Sequence, residues 1–229
     1  MPATNVTTER GDGWAVITLS SPAGLNKLGS DTLDPLLEEI RANLSEDCRC
    51  LGITGQGDSF AVGADLREIG GLTSATARDF SVLGNTIFGL LENANAMVVA
   101  GIDGFCLGGG LDLALAADWR IATSRSVFGH PGADLGLITG FGGTQRLPRL
   151  VGSRKAGKWL YTAERINTSD AYAAGLIQEI STESEFKENL MNRIRTFAGL
   201  SPEWVRGVKG QFRYFSDGCP ESGGSRAWA

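Results

Sequence analysis

The chain has 229 residues, of which 42% are hydrophobic and 21% are charged, and its formal net charge is −5. This length suffices for one domain with a proper core, or for one domain with a small appendage, and the composition is ordinary for a soluble globular protein. The acidic balance argues against a nucleic-acid surface, and only a local basic site for phosphates stays open.

Signals for export, membrane insertion and metal binding are missing from the sequence. The N-terminus has no apolar segment after its first residues, and no apolar run approaches membrane-spanning length. Four cysteines accompany a single histidine, so the usual zinc-ligand spacings cannot be assembled. We therefore expect a cytoplasmic protein with reduced thiols, no metal and no membrane association.

The first elements in chain order are a hairpin and a helix. Residues 6–10 and 14–20 have the pattern of two short strands around a Gly-Asp-Gly turn, which indicates a hairpin. A helix should begin near Ser30 or Asp31, because the following apolar residues recur at helical spacing: Leu33, Leu36, Leu37, Ile40 and Leu44.

Strands and helices continue to alternate after this helix. The sequence predicts a loop over residues 55–60, a glycine-rich turn around Cys106, and strands over 50–54, 97–102, 119–123 and 176–180. It predicts helices over residues 75–94, 153–162, 169–174 and 183–200. One further helix should begin near residue 111, and another should end near residue 152. A last helix should contain Trp204, Val208 and Phe212. Beyond that last helix we expect a loose end. This order predicts an α/β fold with recurring ββα or βα units.

Two glycine-rich turns form the candidate reaction centre. Residues 104–118 follow a buried strand and place three consecutive glycines before a helix, with Asp112 about one turn in. Such a turn leaves backbone N–H groups open to an oxyanion. A second stretch, residues 60–68, combines small residues with Asp65, whose ordinary role would be to cap a short helix. Close packing explains either turn taken alone, and no G-x-G-x-x-G dinucleotide fingerprint is present.

Taken together, four segments resemble the crotonase superfamily, also called the enoyl-CoA hydratase/isomerase family. The segments are residues 23–28, 60–68, 104–118 and 128–152. The resemblance implies a crotonase-like spiral of ββα units with a short C-terminal helical region. It implies an acyl-CoA-binding domain over residues 1–200 and a shortened helical tail over 201–229. It also implies an acyl-CoA thioester substrate, no cofactor beyond the coenzyme A of that substrate, and a homotrimer or homohexamer.

The resemblance also assigns roles to residues of this chain. Ala64 and Gly109 match the two residues whose N–H groups polarise the thioester carbonyl and stabilise the enolate. Asp112 matches the first catalytic glutamate of hydratases. Lys27 and Arg67 are candidates for the coenzyme A phosphates, with exposed salt bridges as their ordinary alternative. The expected substrate-binding residues are Ala23, Leu25, Ala61, Gly63, Asp65, Leu66, Gly108, Pro131, Gly132 and Leu135.

The chain departs from the family pattern at the second catalytic carboxylate. The second glutamate of hydratases matches Gly132, and the extra aspartate of dienoyl-CoA isomerases falls on Gly140. Three substitutes stay open: a bound anion or water beside Gly132, movement of His130 or Asp134 into the site, or Asp112 acting alone. His130 titrates near neutrality when unperturbed, but it has a structural alternative, and Asp112 has one as a helix-dipole partner.

We therefore predict an enoyl-CoA hydratase (a lyase) or an isomerase of fatty acid metabolism. Decarboxylation, thioester hydrolysis and C–C cleavage stay open as other chemistries of the same fold, because they need the enolate site but not the second glutamate. A catalytically silent acyl-CoA-binding subunit is the alternative from a different class. Family members usually continue with C-terminal helices over the acyl pocket, so we expect that cover either to be missing or to come from a neighbouring subunit.

Overall fold

The computed structural model describes residues 3–44 and 47–216. The larger of its two sheets begins with the predicted hairpin. Strands β1 (Asn5–Gly11) and β2 (Trp14–Ser20) pair antiparallel through the register Gly11↔Trp14. The parallel strands β3, β5, β7 and β10 complete a sheet of order β1-β2-β3-β5-β7-β10, and their bounds are Cys50–Gln56, Met97–Ile102, Trp119–Thr123 and Glu179–Ser181.

A smaller sheet lies beside it in the order β4-β6-β8-β9. Its strands are short: β4 (Ser59–Ala61), β6 (Phe105–Leu107), β8 (Val127–Gly129) and β9 (Ile166–Asn167). Strands β4, β6 and β8 each follow a large-sheet strand after a tight turn. These turns are stacked, because Phe105 N–H donates to the Asp58 carbonyl at 3.0 Å and Val127 N–H donates to the Gly104 carbonyl at 3.2 Å. The chain therefore winds as a spiral between the two sheets.

Helices complete each turn of the spiral. The first five helices are α1 (Ser30–Asn43), α2 (Leu66–Gly71), α3 (Ser74–Glu92), α4 (Gly109–Leu115) and α5 (Gly132–Leu135). The next five are α6 (Gly143–Val151), α7 (Ser153–Thr162), α8 (Thr168–Ala173), α9 (Phe186–Ala198) and α10 (Pro202–Ser216). This architecture confirms the predicted α/β spiral of ββα units, while the domain boundary at residue 200 stays a prediction.

Three local predictions were wrong at the small strands and at a strand boundary. Residues 55–60 are not one loop, because β3 extends to Gln56 and β4 begins at Ser59. Cys106 lies in strand β6 rather than in a turn. The last strand begins at Glu179, three residues later than predicted. Three-residue strands are too short to show an alternating pattern, so the sequence carries little signal for them.

The main core lies between the two sheets and the helices packed against them. It contains fully buried residues from distant parts of the chain, such as Leu19, Leu36, Phe60, Phe88 and Phe128. A second cluster covers the other face of the large sheet beneath α9, around Leu190 and Ile194. Within the described residues, no helix is long and apolar enough to span a membrane.

Helix α10 contains the predicted Trp204, Val208 and Phe212, but it packs against the protein mainly through other residues. Val205 and Lys209 are buried, whereas Trp204 and Phe212 are 56% and 71% exposed. Lys209 Nζ forms an ion pair with Asp118 Oδ2 at 2.7 Å, which draws this side of the helix inward.

Two predictions near the C-terminus concern boundaries. Helix α9 begins at Phe186 rather than at residue 183. The end that we expected to be loose lies outside the described residues from position 217 onward.

Candidate active site

Two backbone N–H groups come together where the segments after β4 and β6 touch. Gly63 and Gly108 have φ values of 87° and 52°, a conformation that glycine adopts without strain. A Cβ on Gly63 would lie 2.9 Å from the Gly109 nitrogen, so the two turns are in contact. In the part of the chain that the structure describes, neither the Ala64 nor the Gly109 N–H donates a hydrogen bond. Both are therefore available to an acceptor from outside the protein.

A buried asparagine holds the first of these two turns. Asn26 Nδ2 donates to the Ser59 carbonyl at 2.7 Å, and the Asn26 carbonyl accepts from Val62 N–H at 2.8 Å. Leu28 N–H in turn donates to the Gly63 carbonyl at 2.9 Å. Asn26 lies within a segment that supports the family resemblance, but no local pattern in the sequence distinguishes it. Its role depends on contacts with residues that lie more than thirty positions later in the chain.

Asp112 lies in the first turn of α4 and has no exposed surface. Its Oδ2 accepts a hydrogen bond from the Thr139 hydroxyl, and its Oδ1 lies 3.3 Å from His130 Nε2. Burial raises the pKa of Asp112 to about 7, although the Thr139 hydrogen bond, the charge of Arg146 and the Gly143 N–H all favour the carboxylate. Near neutral pH this carboxyl group can therefore both take up and release a proton.

His130 stands in front of Asp112 at the cavity wall, and its side chain is only 5% exposed. Burial lowers its pKa to about 4, so its imidazole is neutral at physiological pH. Nε2 is enclosed and faces the carboxylate, but neither facing atom has a hydrogen bond of good geometry in the described residues. The other ring nitrogen, Nδ1, is not enclosed and bonds to no described group.

The segment that supplies Thr139 is anchored to α3. Asn85 Nδ2 donates to the Gly140 carbonyl at 2.6 Å. Arg146 Nη1 donates to the Phe141 carbonyl at 2.8 Å, while its Nε lies 3.0 Å from Glu92 Oε2. These contacts fix the loop before α6 against Asp112. The sequence did not identify Thr139, because nothing local marks a hydroxyl that meets its partner 27 positions earlier in the chain.

The two available N–H groups border a cavity of about 870 Å³. Its walls are largely apolar, with Leu72, Phe80, Phe141 and Leu160 among them. Within the described residues no carboxylate, lysine, arginine or cysteine lines it, and His130 contributes the one imidazole of the wall. An apolar cavity with a few converging polar groups is typical of a small-molecule site.

This cavity brings many of the predicted site residues together. Those on its wall are Gly63, Ala64, Leu66, Gly108, Gly109, His130, Pro131, Gly132 and Leu135. The remaining predicted residues do not line it in the described structure: Ala23, Leu25, Lys27, Ala61, Asp65, Arg67 and Asp112. Asp112 is separated from the cavity by His130 and Thr139. Its catalytic role stays a prediction, as do the roles of the other site residues.

The outlying charged residues have local partners. Asp65 accepts from Arg67 N–H at 2.9 Å and caps α2, which is the ordinary role that stood beside its predicted part in substrate binding. Lys27 Nζ lies 2.8 Å from Asp65 Oδ2 and its hydrogen bond lowers the pKa of that carboxyl group. Asp134 is exposed in α5 and does not cap a helix in the described structure. Arg67 is exposed and forms no ion pair within the described residues.

Gly132 occupies the first position of α5, where a side chain meets an obstacle. A Cβ at this residue would lie 2.3 Å from the Leu137 carbonyl oxygen, which itself belongs to the tight turn closed by Leu137 N–H and the Gly132 carbonyl at 2.9 Å. The loop is therefore shaped around the glycine, and a carboxylate cannot be placed here without moving backbone.

We expect Gly132→Glu to fail to increase kcat and to lower the free energy of unfolding by about 1–3 kcal/mol, because the new side chain forces the turn apart. Denaturant unfolding and thioester turnover measure both effects. Ala133→Glu, at the exposed neighbouring position, should leave the unfolding free energy within about 0.5 kcal/mol of the wild type. A Gly132→Glu protein of unchanged stability and higher kcat would contradict this description of the loop.

Comparisons with known proteins agree with this geometry. Residues 9–218 match the family model for enoyl-CoA hydratase/isomerase. A crotonyl-CoA hydratase of Syntrophomonas wolfei is 40% identical over 197 residues, which are 85% of this chain and 74% of that protein. A short-chain-enoyl-CoA hydratase of Clostridium acetobutylicum is 39% identical over 201 residues, covering 86% of this chain and 75% of that protein.

A solved structure repeats the same fold. DspI of Pseudomonas aeruginosa superposes with a TM-score of 0.87 at 31% identity, covering 95% of this chain and 84% of that one. The resemblance noted in four segments thus extends over nearly the whole described structure. The chain belongs to the enoyl-CoA hydratase/isomerase family, the crotonase superfamily.

Proposed function

We propose that the cavity binds a 2-enoyl-CoA thioester and that the protein adds water across its double bond. The observation that carries this proposal is the pair of available N–H groups, Ala64 and Gly109, at the border of an apolar cavity. Relatives named as hydratases of crotonyl-CoA and short-chain enoyl-CoA support the same substrate class.

The chemistry follows from where charge develops in the reaction. When water adds to C3 of a 2-enoyl thioester, the electron pair of the double bond moves onto the carbonyl oxygen and forms an enolate. Two fixed N–H donors at that oxygen stabilise the enolate more than the neutral thioester, and therefore lower the barrier. The enolate then takes a proton at C2, and the product is a 3-hydroxyacyl thioester. Isomerisation of a double bond can proceed through the same enolate.

Coenzyme A is proposed here as part of the substrate and not as a separate cofactor. Its phosphates need positive charge, and Arg67 lies exposed beside the cavity residue Leu66 without an ion pair in the described residues. Lys27 is engaged by Asp65 at 2.8 Å and would have to exchange that partner for a phosphate. We therefore place Arg67 ahead of Lys27 as the phosphate contact.

A homotrimer or homohexamer accounts for apolar surface beside the cavity. Ile138 and Tyr161 are 86% and 83% exposed, although both border the pocket, and Leu135 is 49% exposed. Exposed apolar residues around a binding site are typical of a surface that a second chain covers. Light scattering on the purified protein measures the assembly directly.

Hydration of crotonyl-CoA tests the proposed function. We expect the enoyl absorbance to fall on addition of the wild-type protein, and mass spectrometry to identify a thioester heavier by one water. Release of free coenzyme A would favour thioester hydrolysis instead. Binding of enoyl, malonyl and β-keto thioesters without turnover of any of them would favour a silent acyl-CoA-binding subunit.

A further inference from the structure

The cavity wall contains one side chain suited to carry a proton between water and a bound thioester. His130 lines the cavity, whereas Asp112 lies behind it with no exposed surface. Thr139 also lines the wall, and its hydroxyl donates to Asp112. A substrate in the cavity therefore meets His130 and Thr139 before it meets the carboxylate.

His130 and Asp112 each have a buried polar atom without a hydrogen-bond partner, and these two atoms face each other. His130 Nε2 and Asp112 Oδ1 are 3.3 Å apart, and neither has another partner in the described structure. A buried polar atom without a partner is costly, so a small ring rotation that completes this hydrogen bond is favourable. In that arrangement Nε2 carries the hydrogen and Nδ1 keeps a lone pair on the open side of the ring.

We propose that His130 is the catalytic residue that exchanges protons with the bound acyl thioester, and that Asp112 is a positioning residue that acts through it. This inference rests on the proposed function of the cavity as an acyl-CoA site. It assigns the proton transfer that a second carboxylate would perform to the residue two positions before Gly132. A neutral imidazole held by a buried carboxylate is an effective general base, because the carboxylate fixes its tautomer and stabilises the imidazolium.

The proposed step conserves atoms and charge. During hydration His130 Nδ1 accepts one proton of the attacking water, while the oxygen of that water bonds to C3 and the enolate oxygen rests on the Ala64 and Gly109 N–H groups. The imidazolium then returns its proton to C2 and becomes neutral again. One water is consumed, and no oxidant, reductant or metal enters the balance.

Charged and polar groups around Asp112 favour the carboxylate form that this role requires. The Thr139 hydroxyl donates a hydrogen bond to it, and the positive charge of Arg146 of α6 and the nearby Gly143 N–H also favour the carboxylate. From β6 the buried thiol of Cys106 is near enough to interact electrostatically with the carboxyl group, and burial keeps that thiol protonated by raising its pKa. Burial of Asp112 opposes these groups and raises its own pKa to about 7, so the carboxylate form is lost as the pH falls below that value.

Deuterium exchange at the α-carbon of butyryl-CoA in D2O tests the proposal. This saturated thioester cannot be hydrated, so exchange, followed by NMR, reports proton transfer alone. We expect wild-type protein to catalyse exchange. His130→Gln, which keeps a polar group beside Asp112 but cannot carry a proton, should slow it by about 10²–10⁴-fold.

Thr139→Val is the matched variant for the competing route through the hydroxyl. The proposal expects its loss of exchange to be at least tenfold smaller than the loss in His130→Gln. An equal loss in both variants, exchange in His130→Gln within tenfold of the wild type, or no exchange by the wild type would each overturn it. Exchange that depends on His130 without any hydration of crotonyl-CoA would uphold it and would contradict only the proposed hydration.

The positioning role of Asp112 has its own readout in the pH profile. The wild-type exchange rate should rise as the pH passes upward through about 7, because the carboxylate then forms behind His130. In Asp112→Asn the rate should be lower and that rise should disappear. A lower rate with the wild-type pH profile would mean that Asp112 serves only the fold. Recovery of exchange in His130→Ala on addition of imidazole would support the proton-carrying role, and its complete absence in a folded variant would count against it.

Discussion

Replacement of Ala64 by proline is expected to lower kcat for thioester turnover by a factor of about 10²–10³, because proline has no N–H group to donate to the enolate oxygen. The effect on KM should be smaller. The carbonyl oxygen carries its full negative charge only as the transition state is approached, so a lost donor mainly affects kcat. Steady-state kinetics on whichever enoyl-CoA the wild type turns over measures both parameters.

Ala64→Gly is the matched control, because it removes a methyl group and keeps the N–H donor. It should stay within about tenfold of the wild-type kcat, since glycine adds only backbone freedom at this turn. Circular dichroism and Tm establish that both variants are folded. A folded Ala64→Pro protein with the kcat of the wild type would rule out this N–H group as part of an oxyanion site.

A single methyl group at Gly143 is expected to have the second large effect. A Cβ there would lie 1.9 Å from Asp112 Oδ1 and 3.0 Å from His130 Cε1. The carboxylate must therefore be displaced relative to His130, and a displacement of reacting groups by about 1 Å costs on the order of 10²-fold in rate. We expect Gly143→Ala to reduce kcat by about this factor, while binding of the thioester, measured by calorimetry, changes much less.

Gly89→Ala is the control for adding a methyl group within a helix. A Cβ at Gly89 of α3 meets no atom within 4 Å, and alanine favours a helix over glycine by about 1 kcal/mol, so this variant should keep its activity and gain slightly in stability. If Gly143→Ala matches Gly89→Ala in kcat, the position of Asp112 does not matter for the chemistry.

The sequence predicted the parts of the site that are encoded locally. Gly109 and Asp112 are three positions apart at a strand-to-helix turn, so their proximity follows from the chain itself. The same holds for Asp65, whose capping of α2 is a contact with Arg67 two residues later. Long helices and buried strands were likewise found, because apolar periodicity is strong over many residues.

The features that the sequence did not predict depend on distant contacts. Asn26 supports the turn at Ala64 through carbonyl groups near residue 59, and Thr139 meets Asp112 only because α3 anchors its loop. Helix α10 shows the same limit. The spacing of Trp204 and Phe212 predicts the helix, but both side chains are largely exposed, and the side with Val205 and Lys209 packs inward, where Lys209 pairs with Asp118.

Gly132 shows what sequence and structure contribute separately. The sequence located the missing carboxylate, and it left open an anion, a moved side chain or Asp112 alone as the substitute. The structure adds that a Cβ at this glycine is blocked by the Leu137 carbonyl, and that His130 stands between Asp112 and the cavity. Neither fact is visible without the path of the loop.

The ultraviolet spectrum of acetoacetyl-CoA bound to the protein tests directly whether Ala64 and Gly109 stabilise an enolate. This β-keto thioester forms an enolate with a distinct absorbance, and it reports on the two N–H donors whichever reaction follows. We predict that excess wild-type protein raises the enolate absorbance at a pH where the free thioester is mostly in the keto form, and that Ala64→Pro does not. Tight binding by the wild type without any gain in enolate would contradict the claim that Ala64 and Gly109 stabilise an enolate.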